Sequence, residues 1–427
     1  MTAIEVITIL IFLAAYILMV HFYKRKVWVV WGAVTLLFIF GAITLESAIT
    51  SIRWDVLGIY IGMMFIAEAL MASNLPDYLA AYVANKTRSA IWTMLLVCIM
   101  SGFLSVFLEN VAVVLIMAPI VFSISQKLDM SPVPLMIGTA ISSNLQGVAM
   151  YIGDPPSMLL ASFLKMDFND FFMFQGKPAL FFAVQLGMLA SLAVLYFIFR
   201  KYSWRVIEEL RKSKIKSHIP MAILLGLVIA LMYVSINGMQ HVLPLGGVTM
   251  FFGAIALFWL TKEKHRYRKK IVNTIFELDW NTAFFIIAIF IVVQSLVDTG
   301  VMRDIALLAV SLIGTSMALA FLVVVVFSIL ISAFVDNVPY IVAMLPLIQQ
   351  MGNELQVTPY VLYFGLLIGA SVGGNITPIG ATANIAAVGL LKARGHETTF
   401  WQFVKIGLPF TIVSVAVSAG FIWLVFG

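Results

Sequence analysis

The sequence has few charged residues and a single cysteine, and each shortage excludes a class of protein. Charged residues make up 11% of the 427 residues and hydrophobic residues 62%, whereas an average soluble domain has about 25% charged residues. This composition predicts an integral membrane protein. Because Cys98 is the only cysteine, an intramolecular disulfide and a multi-cysteine metal site are both excluded.

The sequence also lacks a long polar stretch and a G-x-x-x-x-G-K-[ST] motif, so ATP-driven pumping by this chain alone is not expected. An external ATPase subunit stays open as a partner. No serine, cysteine or zinc catalytic pattern is visible, and we predict neither an enzyme nor a bound cofactor. The net charge of +6 does not indicate nucleic-acid binding, because the basic residues lie in short loops between apolar segments.

Apolar segments long enough to cross about 30 Å of hydrocarbon predict a polytopic, all-α membrane protein. We interpret the first as a retained span rather than a signal peptide. Plain spans are predicted at roughly 4–22, 28–46, 55–73, 178–200, 219–237, 243–261, 281–298 and 403–426. Four further apolar regions are interrupted midway by polar, glycine or proline residues, namely 89–127, 133–164, 305–350 and 358–391.

The sequence contains an internal repeat. A shift of 227 positions aligns residues 97–165 with 324–392 without a gap. Residues that disrupt a helix coincide in this alignment, including Asn110 with Asn337, and Glu109 falls on Asp336. We therefore predict two transmembrane repeats, 1–200 and 219–427, joined by a basic cytoplasmic linker at 201–218.

The number of spans in each repeat predicts how the two repeats are oriented relative to each other in the membrane. If 89–127 and 305–350 are re-entrant hairpins, each repeat has five spans plus a hairpin, so the second repeat is inverted. With both termini outside the cell, all but four of the 26 lysines and arginines then face the cytoplasm of a plasma-membrane protein. The four exceptions are Arg53, Lys165, Lys177 and Arg303.

The hairpin tips carry acidic residues in apolar surroundings, in "FLENVAVVLIMAP" (107–119) and "FVDNVPYIVAMLP" (334–346). A charge at mid-membrane depth costs at least about 2.5–3.5 kcal/mol, so it persists only where it faces protein, water or an ion. We therefore predict a substrate and ion site at Glu109, Asn110, Asp336 and Asn337, with Na⁺ as a candidate ion near Asn110 and Asn337.

The segments 133–164 and 358–391 are predicted to be helices broken in the middle, because glycine and proline interrupt both at matching positions. Half-helix ends at such breaks can bind ions and substrate. The candidate binding residues at the breaks are Asn144, Asp154, Ser157, Ser371, Asn375, Thr377, Thr382 and Asn384.

Structural interpretations stay open for some of these residues. Glu109 and Asp336 are also suited to cap the helices that follow them. Glu68, within a predicted span, aligns with the neutral Gln294. A proton-relay role and a packing hydrogen bond are both open for Glu68.

The motifs "FLENVAVVLIMAP", "IGDPPSMLL", "FVDNVPYIVAMLP" and "GGNITPIGATANI" resemble the arsenite-permease branch of the ion transporter superfamily. That superfamily includes sodium–proton antiporters and, more distantly, citrate and dicarboxylate carriers. The resemblance implies inverted repeats with two hairpins, elevator-type alternating access and a homodimer. The dicarboxylate carriers have Ser-Asn-Thr at both tips, whereas this chain has Glu-Asn-Val and Asp-Asn-Val, which disfavours a free di- or trianion.

We therefore predict a secondary active transporter that moves a small inorganic oxyanion or its neutral acid, arsenite-like by resemblance, coupled to H⁺ or Na⁺. A sodium–proton antiporter is the main alternative. A carboxylate or metal–citrate carrier and a passive channel also stay open.

Overall fold

The computed structural model of the protein describes residues 2–22, 25–85, 89–202, 214–263, 278–314 and 316–427. In these ranges the chain forms nineteen α-helices and one short β-hairpin. Seven of the described helices are long and apolar enough to cross a membrane. The predicted all-α, polytopic architecture is confirmed.

The first half of the chain contains ten helices and the hairpin. The helices are α1 (Ala3–His21), α2 (Lys26–Ile39), α3 (Leu45–Ser51), α4 (Trp54–Ala72), α5 (Leu75–Ala84), α6 (Ala90–Ser105), α7 (Asn110–Lys127), α8 (Val133–Gly147), α9 (Pro155–Leu164) and α10 (Leu180–Phe199). The strands are β1 (Met173–Phe174) and β2 (Lys177–Pro178). They are joined by Gln175 and Gly176, with φ of 51° and 74°; positive φ at both central residues is typical of a type I′ turn.

The second half contains nine described helices. They are α11 (Ile219–Ile236), α12 (Leu245–Glu263), α13 (Trp280–Asp298), α14 (Val301–Ile313), α15 (Met317–Ser332), α16 (Asn337–Leu355), α17 (Tyr360–Gly373), α18 (Thr382–Ala393) and α19 (Phe400–Phe426). Helices α13 to α18 begin 226 or 227 residues after α4 to α9, in the same order. The sequence repeat thus corresponds to a repeat of secondary structure.

Both predicted helix breaks are present, between α8 and α9 and between α17 and α18. The two acidic tips lie between α6 and α7 and between α15 and α16. Proline and glycine explain the breaks, because proline at the start of α9 cannot continue the hydrogen bonding of the preceding helix.

Other boundaries differ from the sequence prediction. The predicted span 28–46 ends as a helix at Ile39, because the chain turns through Gly41 (φ 69°) before the separate helix α3. The predicted hairpin 305–350 begins inside α14, and its arms are α15 and α16. Residues 203–213 of the predicted linker lie outside the described residues, as do Lys24, Lys86, Arg88 and the basic residues at 264–270.

The two halves are packed into each other. Helix α7 packs on α18 of the other half, and α16 packs on α9, so each acidic hairpin contacts the broken helix of the opposite repeat. Helix α4 packs closely on α12. A Cβ added at Gly62 of α4 would lie 2.5 Å from the Thr249 carbonyl oxygen of α12, so only glycine permits this approach of the two backbones.

We expect Gly62→Ala to lower the free energy of unfolding by about 1–3 kcal/mol, because the added methyl group forces α4 and α12 apart. Gly32→Ala in α2 is the matched control, since a Cβ there meets no atom of the described residues within 4 Å. It should be neutral or stabilising by up to about 1 kcal/mol. Thermal unfolding in detergent measures both variants; equal midpoints would contradict the close α4–α12 contact.

Candidate functional site

Glu109 and Asp336 immediately precede the first residues of α7 and α16. The positive end of the helix dipole favours a carboxylate at this position. Asp336 Oδ1 accepts a hydrogen bond from the Val338 backbone N–H at 3.4 Å. In the described part of the chain, no hydrogen bond or ion pair is found for the half-buried Glu109 carboxylate. The capping interpretation therefore has weak geometric support at Asp336 and none at Glu109.

Asp154 caps α9 at the first helix break. Its Oδ1 accepts hydrogen bonds from the Ser157 backbone N–H (3.1 Å) and hydroxyl (2.8 Å). The side chain is buried, and its Oδ2 has no hydrogen-bond partner among the described residues. A buried carboxylate oxygen without a donor is costly, so this atom is suited to bind a proton or a cation.

A cluster of three buried asparagines joins the two helix breaks. Asn144 Nδ2 of α8 donates to Asn375 Oδ1 at 2.8 Å and to Asn384 Oδ1 at 3.0 Å. Asn384 Nδ2 in turn donates to the Gly374 and Thr377 carbonyl oxygens, both at 2.9 Å. The amides therefore satisfy backbone carbonyls that the break of α17 leaves without helical partners.

Side chains at the breaks also contact the hairpin tips. Thr377 donates a hydrogen bond to the Ala333 carbonyl oxygen beside the second tip. At the first tip, Asn110 accepts a hydrogen bond from Ser105. A Cβ added at Gly147 would lie 2.5 Å from Asn110 Oδ1, so glycine at the end of α8 allows the tip to reach the break.

Both tips and both breaks line one small pocket of about 50 Å³, which we call the central pocket. Sequence-predicted site residues form much of its wall. Those that line it are Glu109, Asn110, Asn144, Asp154, Asp336, Asn337 and Thr382. Two acidic turns that are 227 residues apart in sequence therefore meet at one place.

Two larger cavities flank the central pocket. The first cavity, of about 290 Å³, shares Glu109 and Asp154 with it, and the second cavity, of about 270 Å³, shares Asp336. The flanking cavities are related by the repeat. Residues of the first cavity align with those of the second as Phe107 with Phe334, Glu109 with Asp336, Ala112 with Pro339, Ile152 with Ile379 and Met158 with Ile385.

The other predicted site residues lie around the central pocket. Ser157, Asn375, Thr377 and Asn384 support its walls through the hydrogen bonds given above. Glu68 lines the first cavity. Ser371 lines none of these three cavities, and its buried hydroxyl has no partner among the described residues.

Two residues of the site, Lys26 and Asp279, are not predicted by the sequence. Lys26, which the positive-inside rule places in a cytoplasmic loop, donates from Nζ to Asp336 Oδ2 at 2.5 Å and lines the central pocket. Asp279 lines the first cavity, where it caps α13 through Thr282 and accepts a hydrogen bond from the Tyr60 hydroxyl at 3.4 Å. The only sequence signal for Asp279 was its neighbour Trp280, which aligns with Trp54 when the sequence is shifted by 226 positions.

Across the described ranges, no group of three or more histidine, cysteine, aspartate or glutamate residues could hold a metal ion. The site therefore consists of separate carboxylates, amides and one ammonium group around small cavities.

Comparisons with known proteins agree with this architecture. A family model described as "Citrate transporter" matches residues 11–268 and 245–427. An uncharacterized transporter of Mycobacterium tuberculosis is 30% identical over 98% of both chains, and one of Synechocystis is 27% identical over 92% of both. The P protein of Sus scrofa is 25% identical over 88% of this chain and 53% of its own length.

A similar fold is found among solved structures. The Alcanivorax borkumensis YdaH transporter superposes with a TM-score of 0.54, over 86% of this chain and 84% of that one. At 13% sequence identity, this likeness concerns the fold alone.

We expect Asn144→Ala to lower the free energy of unfolding by about 1–3 kcal/mol, because the acceptors on Asn375 and Asn384 lose a donor in a buried place. Asn237→Ala is the control: Asn237 is exposed and its Nδ2 donates to the Tyr233 carbonyl within the same helix turn. Thermal unfolding in detergent compares the two. An equal loss in both variants would argue against the asparagine cluster as a link between the halves.

Proposed function

This chain belongs to the citrate transporter family, and from that membership we propose that it is a cation-coupled secondary active transporter with its substrate site in the central pocket. The observation that carries the proposal is the convergence of Glu109, Asp154 and Asp336 on that pocket. Inverted-repeat carriers place their binding sites between such hairpin tips and broken helices.

The charge of the central pocket limits the substrate class. Three carboxylates and one ammonium group line it. A free citrate or dicarboxylate ion would be repelled by this excess of negative charge. A neutral solute, or an anion neutralised by a bound cation, would not be repelled.

The size of the pocket also favours a small substrate. A volume of about 50 Å³ accommodates about three or four water molecules, which matches a small oxyacid better than citrate. We propose an arsenite-like neutral acid, as the resemblance to arsenite permeases suggests. Its hydroxyl groups can donate to the carboxylates, and the side-chain amides of Asn110 and Asn337, which also line the pocket, can complete its hydrogen bonds.

We assign coupling by H⁺ or Na⁺ to the carboxylates and to carbonyl oxygens near the tips. A Cβ at Gly153 would lie 2.2 Å from the Gly147 oxygen and 3.2 Å from the Val106 oxygen. At the equivalent Gly380, a Cβ would lie 2.6 Å from the Gly374 oxygen and 2.8 Å from the Ala333 oxygen. Hard cations prefer such oxygen ligands. This supports a Na⁺ site near Asn110, and a second near Asn337 when no other cation neutralises Asp336.

The packing supports alternating access of the elevator type. Because α7 contacts α18 and α16 contacts α9, the tips and breaks of both halves form one packed unit that can move together. Inverted insertion of the second repeat, a homodimer and a plasma-membrane location complete the proposal. We propose no role for an ATPase subunit, since cation coupling supplies the driving force.

Sodium–proton antiport is the second candidate function, because the lining of the first cavity is acidic. Glu68, Glu109, Asp154 and Asp279 line it, and the described lining contains no lysine or arginine. Such a cavity attracts cations. A metal–citrate substrate is favoured only by the family name, and a passive channel is disfavoured by the narrow central pocket between the cavities.

Purified protein in lipid vesicles with a pH-sensitive dye inside separates these functions. Proton movement on addition of arsenite supports the oxyacid transporter. Movement on addition of Na⁺ alone supports the antiporter, and uncoupled flux at channel-like rates would refute secondary transport.

We expect Asp154→Asn to reduce coupled transport at least about tenfold, because the amide can still accept from Ser157 but cannot bind a proton or cation. Glu354→Gln is the control, since Glu354 lies 3.9 Å from Arg303 at the surface, away from the cavities. The vesicle assay measures both variants. Wild-type coupling in Asp154→Asn would remove this carboxylate from the mechanism.

A further inference from the structure

The two acidic tips are equivalent in the repeat but not in their surroundings. Asp336 is paired with the Lys26 ammonium at 2.5 Å, and the two side chains are only 12% and 16% exposed. Glu109, at the equivalent position, has no ion-pair partner among the described residues. The Asp336 carboxylate at the second tip therefore already has a positive charge beside it, whereas the Glu109 carboxylate at the first tip lines the first cavity.

The flanking cavities show the same asymmetry. Four carboxylates line the first cavity, whereas the second contains one carboxylate, Asp336, and one cation, Lys26. The remaining described lining of the second cavity is apolar except for Tyr16. Among the described residues, the charge of the second cavity is therefore balanced within the chain, whereas Glu109, Asp154 and Asp279 give the first cavity negative charge that attracts a solution cation.

The position of Lys26 is fixed by the fold. It is the first residue of α2, which packs on α13, and its ammonium group lies 4.7 Å from the centre of the Phe285 ring of that helix. A cation over an aromatic face is stabilised by the ring. Lys26 is therefore held by the ring on one side and by Asp336 on the other, at the boundary between the central pocket and the second cavity.

We propose that the Lys26 ammonium group acts as a tethered cation and occupies the position that a bound cation would take beside Asp336 at the second tip. Asp336 then binds a cation from solution only when Lys26 is absent or displaced. This inference rests on the proposed function, since it concerns how many solution cations that same site binds. The carboxylate of Asp336 and the amide of Asn337 both line the central pocket, and they supply oxygen ligands for Na⁺ once the ammonium is gone.

The tethered cation makes Lys26 a residue that determines coupling stoichiometry. With Lys26 in place, the Asp336 charge is neutralised without an ion from either side of the membrane. Without it, one further monovalent cation is required to neutralise the same carboxylate. Lys26→Gln should therefore create a Na⁺ site that the wild type does not have.

The test measures Na⁺ binding rather than transport. The thermal unfolding midpoint of each purified variant is compared in 1 mM and 100 mM Na⁺, with choline keeping the ionic strength constant. In Lys26→Gln we expect the Na⁺-dependent rise to exceed that of the wild type by at least about 2 °C, as a ligand bound only to the folded state requires. The double variant Lys26→Gln, Asp336→Asn should lose this extra rise.

Two lysine variants serve as controls. Lys26→Arg keeps the tethered charge and should respond to Na⁺ as the wild type does. Lys262→Gln removes an exposed lysine that lies 4.7 Å from the Phe258 ring. It reproduces the loss of a cation over an aromatic ring at a site where no carboxylate partner is found among the described residues. An unchanged Na⁺ response in Lys26→Gln, or an equal gain in Lys262→Gln, would overturn the proposal.

If Lys26→Gln is not monodisperse, Lys26→Met removes the same charge with a side chain of similar length. Its Na⁺-dependent rise should also exceed that of the wild type, and an unchanged rise would refute the tethered cation. Failure of this inference can be distinguished from failure of the proposed function. If the proposed function is wrong, the wild type shows no coupled transport in vesicles, whereas the Na⁺-binding measurement needs no transported substrate.

Discussion

The central constraint on this structure is that carboxylates must be accommodated inside an apolar protein. A charge in such surroundings is stable only with a partner, water or a helix end nearby. Glu109, Asp154 and Asp336 each immediately precede the first turn of a helix, where the dipole favours them. The turns and breaks that create these helix ends also leave backbone groups without helical partners. For this reason the carboxylates, the broken helices and the polar cavity are found at the same place.

The repeat supplies the same backbone twice but different chemistry each time. Asp154 caps the first broken helix, whereas Ala381 stands at the equivalent place in the second and gives no side-chain cap. The second half contributes Asn375 and Asn384, whose oxygens accept from the single Asn144 of the first half. The two halves are therefore complementary rather than interchangeable, and neither can complete the site alone.

The sequence was sufficient to predict much of this arrangement, for physical reasons. Apolar length predicts spans, and glycine and proline at matching positions predict the two breaks and the two tips. The meeting of Glu109 with Asp336 also followed from the repeat. Lys26 could not be found this way, because a lysine in a basic run looks like any loop charge, and its pairing with a residue 310 positions away depends on tertiary packing. The short helices α5 and α14 were missed because they are too short to produce a spanning signal.

Buried hydrogen bonds at the site restrict which parts of the molecule can move during transport. The asparagine cluster joins the breaks of the two halves, and the Thr377 hydroxyl joins the second break to Ala333 beside the second tip. Pulling these segments apart would leave several buried polar groups without partners, at about 1–3 kcal/mol each. Sliding the packed unit against helices such as α4 and α12 breaks none of those bonds. The elevator-type movement proposed above is compatible with these bonds, because it displaces the whole site instead of opening it.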